Sequence, residues 1–230
     1  MITRENLEEV LGFRVNDPKV YERAFQHKSI LKESNGLITE SYERMEFMGD
    51  AVINFIVTRF LMERYPDKDE GFLTRIRTKV VSGKCLSRLA GHLGLQNFIQ
   101  MNEKAMHNGW NCNERILEDV FEALMGCLYT DLGLIQAREF MLRLLRDYVD
   151  FREIERDDNF KDILMRYTQA HGVPLPEYES KEIMVEGKKV FSIRVHVNRT
   201  PCGYGRNKNK KQAEQNAARQ ALLYFGFDLS

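Results

Sequence analysis

The sequence predicts two domains, an all-α domain followed by a small α+β domain of order α-β-β-β-α, and three observations carry that reading. Two long helical patterns, opening at Tyr42 and Asn113, pair an apolar face with a line of carboxylates, as core-facing helices do. Towards the C-terminus the period changes: Tyr178 to Met184 and Val190 to Val197 alternate as strands around Glu186-Gly187, between helical stretches at Phe160 to Ala170 and Ala213 to Phe225. Charge divides the chain at the same place. Of 34 Lys and Arg and 34 Asp and Glu, residues 159–230 hold 12 and 7, which leaves an acidic 22 against 27 ahead of them. We expect a helical domain over 1–152, a linker over 153–158 and the second domain over 159–228. A chain of 230 residues, 43% hydrophobic, has material for two modest cores.

Composition narrows the class. No run of 18 apolar residues occurs and the first twenty residues are charged throughout, so we expect neither a membrane span nor a signal peptide, and a soluble, cytoplasmic protein. Cys85, Cys112, Cys127 and Cys202 lie far apart without a C-x-x-C pair, which argues against a zinc knuckle or a disulfide framework. Reduced thiols are expected, at least two of them in cores.

Taken in order, the chain opens with two short helices about Asn16-Asp17-Pro18, where Asp17 caps and Pro18 takes the first helical position. His27 ends the second and reads as structural. Lys32 to Glu40 is a polar loop leading to the first acidic helix, which runs to Tyr65 because Pro66 disfavours continuation. A turn at Asp67 to Gly71 follows, then a helical pattern from Phe72 through Leu93 on which Arg75, Arg77, Lys79, Lys84 and Arg88 read as a solvated face. Gly94 to Asn113, with His107 and Trp110, is polar and long enough for a surface loop with a role.

Chemistry concentrates on the two acidic helices. Glu43, Glu46 and Asp50 fall at i, i+3 and i+7, on one face of the first; Met45, Met48, Val52, Phe55 and Ile56 are expected on the other side. Like charges so close repel by a few tenths of a kcal/mol per pair even when exposed, and call for a cation. On the second helix Asp119 and Glu122 are i, i+3 neighbours beside Ala123 and Gly126, small residues that admit a close helix; Gly49 sits beside Glu46 and Asp50 in the same way. Glu114 and Glu118 read as plain surface charge. Two facing carboxylate pairs make a cage of hard oxygen donors suited to Mg²⁺, with Mn²⁺ as a substitute. A di-iron site would need Glu-x-x-His, and none of the five histidines follows a Glu by three positions. Unrelated surface carboxylates are the commoner case for an acidic helix, but here each pair lies among apolar and small residues.

The stretch Glu43-Arg44-Met45-Glu46-Phe47-Met48-Gly49-Asp50-Ala51-Val52 resembles the ribonuclease III signature E-R-L-E-F-L-G-D-A-V, with Met for Leu at two places. Asp119-Val120-Phe121-Glu122-Ala123-Leu124 resembles that family's second acidic motif, and Glu70 to Leu73 with Arg77 and Val80 to Ser82 resembles the stretch between them. The resemblance covers essentially the whole chain. It implies that Glu46, Asp50, Asp119 and Glu122 bind metal and catalyse, that Glu43 supports them, and that Glu70 reaches the site of the partner in a homodimer. The segment from Gln96 to Asn113 departs from the shorter, basic loop expected of bacterial members.

The same resemblance implies a C-terminal double-stranded RNA-binding module. Arg206, Lys208, Lys210 and Lys211 crowd the start of the last helix, where the dipole disfavours cations, so the pattern gives up some helix stability for a phosphate clamp. Asn209 can cap that helix. The Gly-x-Gly, Lys-Lys and Ala-Glu-x-x-Ala-Ala elements of the motif are matched by Lys210-Lys211 and Ala213 to Ala218, with the glycines represented by Gly203 and Gly205 or by Gly205 and Asn207. Lys161 and Gln169 on the preceding helix match groove-contacting positions, whereas Met165 and Arg166 replace the usual Gln and Glu. The expected function is a Mg²⁺-dependent endoribonuclease that cuts double-stranded RNA as a homodimer, leaving 5′-phosphate and 3′-hydroxyl ends with short 3′ overhangs. The alternative is a catalytically silent binder of double-stranded RNA, which would have no use for four converging carboxylates.

Overall fold

The computed structural model describes residues 2–33, 41–156 and 159–229, and they form two compact units, 1–155 and 156–230. The first is helical: α1 (Arg4–Leu11), α2 (Pro18–Glu22) with a 3₁₀ turn to Phe25, α3 (Lys28–Glu33), α4 (Glu43–Arg64), α5 (Glu70–Val80), α6 (Gly83–His92), α7 (Glu103–His107), α8 (Glu114–Leu132), α9 (Leu134–Tyr148) and α10 (Phe151–Glu155). Asp17 accepts from the Lys19 amide and Pro18 opens α2, as its sequence requires. Lys32 and Glu33 close α3; the rest of the polar loop expected there lies outside the described residues.

Helix α8 is the axis of this unit. Val120, Phe121, Ala123, Leu124, Met125, Cys127 and Leu128 are all buried, so the helix is enclosed by others over most of its circumference, and Glu118, Asp119 and Glu122 share the remaining strip. α4, α6 and α9 pack on it. α4 comes closest, because Gly126 would set a β carbon 2.2 Å from the Met45 carbonyl oxygen and Gly49 one 1.7 Å from that of Glu122. The two backbones touch where each helix carries its carboxylates.

Two expectations are corrected here. The single helical pattern from Phe72 to Leu93 is two helices, since the Ser82 side chain accepts from the Cys85 amide and caps α6, competing locally with continuation of α5. The basic residues of α5 are not a simple solvated face: Arg77 donates to Thr58 Oγ1 at 3.0 Å, and Arg75 and Lys79 donate to the carbonyls of Glu155 and Ile154, each at 3.1 Å. Those last two bonds tie down the C-terminal end of α10, whose Phe151 is buried, and the helical unit thereby reaches Glu155, into the stretch expected as linker.

The second unit has the order α11 (Phe160–Ala170), β1 (Glu177–Val185), β2 (Lys188–Val197), β3 (Thr200–Asn207), α12 (Lys210–Tyr224), with an antiparallel sheet ordered β1-β2-β3. Glu186 and Gly187, both at positive φ, make the tight β1–β2 turn. Leu164, Ile193, Val195 and Leu222 fill a core closed by the alanines of α12. α12 begins a turn earlier than its apolar pattern, at Lys210, capped by the Asn209 side chain. Gly203 and Gly205 on β3 both lie against α12, where a β carbon would stand 2.2 Å from the carbonyl oxygens of Ala217 and Ala213 respectively. Cys85, Cys127 and Cys202 are buried free thiols and Cys112 is an exposed one.

Candidate active site

The α4–α8 contact opens at one end into a cleft of about 850 Å³. Glu43, Glu46 and Asp50 line it from α4, Asp119 and Glu122 from α8, and His27, Lys28, Tyr42, Trp110 and Arg115 complete its walls. The spacing read from the sequence thus brings the predicted quartet and Glu43 to one place. Glu70, first residue of α5, does not line the cleft of its own chain; its carboxylate accepts from Thr74 Oγ1 at 2.7 Å.

Electrostatically the cleft is overloaded. Burial, then the charges of Asp119 and Glu43, push Glu46 up to about 7. Burial, then Asp50, Glu118 and Glu46, push Glu122 up to about 8. Asp119 and Glu118 are also raised, mainly by burial. Against this stand Arg115 and Lys28, and Lys28 is already spent on Glu43 at 3.0 Å. Carboxylates that resist ionisation because they share a half-buried space are relieved by a cation. Among the described residues, no three acidic, histidine or cysteine side chains are drawn together into a ready-made metal cage. The donor set nevertheless fits a hard divalent ion: carboxylate oxygens from two rigid helices, in a cleft open to solvent, with more negative charge than its cations offset.

Sequence reasoning missed several contributors. Tyr42 is buried and its hydroxyl donates to Asp119 Oδ2 at 3.3 Å; burial and the neighbouring carboxylates raise its pKa, keeping the proton it donates. Asn54 Nδ2 donates to Asp50 Oδ1 at 2.7 Å. Glu118 is not plain surface charge, because its carboxylate is seated against Gly83 at the start of α6 and joins the acidic group. The Gln96 to Asn113 segment is anchored by the Gln26–Gln100 bridge and by buried Ile99, Met101 and Ala105, and it delivers Trp110 to the cleft beside His27. A lone tryptophan next to Gly109 in a polar stretch was the available signal.

In the second unit Lys208, Lys210 and Lys211 are exposed around the start of α12, as the sequence suggests. Arg206 instead lies over the Tyr204 ring, 5.0 Å from its centroid. Gln169 is exposed on α11. Lys161 is engaged within the fold, its Nζ 2.6 Å from Glu214 Oε2 and 4.7 Å from the centroid of the Tyr178 ring.

Known proteins share this two-domain organisation. The Ribonuclease-III-like family model matches residues 17–148 and the double-stranded RNA binding motif matches residues 160–225. A ribonuclease 3 of Nitrosococcus oceani is 34% identical over 223 residues, spanning 95% of this chain and 93% of its own length. Putative protein A464R of Paramecium bursaria Chlorella virus 1 is 42% identical over 226 residues, 98% of this chain and 80% of that protein. The crystal structure of the ribonuclease III nuclease domain from Campylobacter jejuni superposes with a TM-score of 0.59 at 30% identity, covering 65% of this chain and 99% of that one. The chain therefore belongs to the ribonuclease III family, as a helical nuclease domain followed by a double-stranded RNA-binding domain.

Proposed function

We propose that the protein is an endoribonuclease that hydrolyses double-stranded RNA with Mg²⁺ or Mn²⁺, as a homodimer, giving 5′-phosphate and 3′-hydroxyl ends with short 3′ overhangs. The observation that carries this reading is the convergence of Glu46, Asp50, Asp119 and Glu122 on one open, over-charged cleft. These four would hold the cation, and Glu43 would support them while fixing Lys28. When bound, the divalent ion supplies Lewis-acid polarisation of the scissile phosphate and a lowered pKa for the attacking water. The burial and mutual repulsion that raise Glu46 and Glu122 towards neutrality are what a bound cation would relieve. Arg115 and Trp110 line the same cleft and would border the route by which a strand enters.

The second domain would bring the duplex. Lys208, Lys210 and Lys211 at the start of α12, with Gln169 on α11, form an exposed set suited to phosphates and the groove of an A-form helix.

A second copy of the chain is favoured by the outer face of α4. Phe47, Phe55 and Met62 are 81%, 54% and 60% exposed. They recur at i, i+8 and i+15, so one stripe of an otherwise core-forming helix is left apolar in solvent. One Campylobacter jejuni nuclease-domain structure is described as flexible in a region involved in dimer formation. In such a dimer Glu70 would complete the partner's cleft.

The test is incubation of labelled duplex RNA with Mg²⁺ or Mn²⁺, with ends mapped. Cleavage of duplex but not single strands, leaving 5′-phosphates, is expected. Binding without cleavage under either ion would establish the silent-binder alternative instead.

A further inference from the structure

Both aspartates of the quartet have one carboxylate oxygen engaged by a neutral donor. Asn54 Nδ2 donates to Asp50 Oδ1 at 2.7 Å and to the Asp50 carbonyl oxygen at 2.9 Å. The Tyr42 hydroxyl donates to Asp119 Oδ2 at 3.3 Å, across from the N-terminal end of α4 to α8. In each case the other oxygen has no hydrogen-bond partner among the described residues.

The donors are themselves held. Tyr42 is 5% exposed, its ring lies 5.9 Å from that of His27, and its amide donates to the Gln26 carbonyl at 3.1 Å. The Asn54 carbonyl accepts from Thr58 Oγ1 at 2.7 Å, and Thr58 Oγ1 in turn accepts from Arg77 of α5 at 3.0 Å. A carboxylate already fixed by one oxygen loses less rotational freedom when the other meets a cation, and a neutral donor does so without competing for its charge.

We propose that Tyr42 and Asn54 are positioning residues that fix Asp119 and Asp50 for divalent-cation binding, each by holding one oxygen and leaving the second for the ion. This rests on the assignment of Asp50 and Asp119 as cation ligands. Each donor bonds an aspartate side chain, so in this role its loss acts on ion affinity rather than on duplex recognition.

The experiment uses the full chain and Mn²⁺ alone, with free Mn²⁺ measured by electron paramagnetic resonance for wild type, Tyr42→Phe, Asn54→Ala and Asp119→Asn. Tyr42→Phe keeps the buried ring and Asn54→Ala removes an amide from the half-exposed side of α4, so the two variants probe the idea independently. Each should bind Mn²⁺ about tenfold more weakly, the lower end of what losing an outer-shell partner costs. Duplex affinity in chelator should not change, and cleavage at saturating Mn²⁺ should return to near the wild-type rate, which a merely damaged fold would not allow. If both variants bind Mn²⁺ like wild type while Asp119→Asn binds weakly, the positioning role is wrong and the ligand assignment survives. If Asp119→Asn also binds like wild type, the ligand assignment fails and the positioning role fails with it.

Discussion

Gly49 of α4 and the Glu122 carbonyl of α8 are so close that a β carbon on the glycine would stand 1.7 Å from the oxygen. The neighbour is backbone, so nothing flexible can yield, and any side chain at 49 must push apart the two helices that bear the carboxylates. Gly49→Ala should destabilise the nuclease domain by about 3 kcal/mol, the upper part of the range for overpacking, and abolish cleavage. Gly91→Ala is the control, since no atom lies within 4 Å of its added carbon and the helix-favouring change should stabilise by about 0.5–1 kcal/mol. Urea melts of the two variants would show the opposite signs, and equal stabilities would refute the close crossing.

Glu122→Gln should lose cleavage while duplex binding stays nearly unchanged, because it removes an anionic donor and leaves the lysines of α12 alone. Gel-shift and cleavage assays on the same preparation check this, and a normal rate with Mg²⁺ would remove Glu122 from the site.

The same substitution has a pH signature. Glu122 is raised from 4.5 to about 8, so the folded protein holds a proton that the unfolded chain has released. Below the unfolded value both states are protonated and the penalty is absent; it grows as pH rises from about 4.5 and is complete above about 8. In chelator, Glu122→Gln should therefore match wild type near pH 5 and exceed it at pH 8, by on the order of 1–2 kcal/mol once screening of a half-buried group is allowed for. Melting curves at the two pH values decide it. Saturating Mn²⁺ at pH 8 should restore the wild type alone.

Lys210 and Lys211 open α12, where the helix dipole would favour acids. Replacing both with Ala should flatten the dependence of log duplex affinity on log salt by roughly one to two units, since each phosphate contact contributes about 0.9 on B-DNA and an A-form duplex is similar. Thermal stability should hold or rise slightly. A salt titration in the Glu122→Gln background keeps the RNA intact, and an unchanged slope would leave the lysines as ordinary solvated charge.

Glu70→Ala in one subunit of a mixed dimer should depress cutting by the opposite subunit more than by its own. Differently tagged subunits assayed strand by strand check it. Full activity from a protein that light scattering finds monomeric would contradict the arrangement.

Much of the candidate site was legible because helical spacing is a local property. Glu46, Asp50, Asp119 and Glu122 declared themselves by lying beside Gly49, Ala123 and Gly126, and the crossing of α4 and α8 follows from those small residues. What escaped depended on contacts distant in sequence. Tyr42 meets Asp119 across 77 positions and Lys161 meets Glu214 across 53, and no periodicity reports either. Glu118 looked like surface charge because its cover comes from Gly83 on another helix. The break between α5 and α6 was hidden for the opposite reason: one capping serine overrides a continuous apolar pattern.

In the second domain α12 meets β3 through Ala213, Ala217 and Ala221 against Gly203 and Gly205. None of these residues has a rotamer to freeze, so this part of the contact costs no side-chain entropy, whereas Leu or Met there would surrender up to about 1–2 kcal/mol each. Gln220, accepting from the Tyr204 amide, and Asn216, donating to the Arg206 carbonyl, pin the same face to β3. The mount beneath Lys210 and Lys211 thus has few side chains to adjust, and if these lysines meet a duplex, adaptation to its irregularities falls to their stems rather than to the helix that carries them.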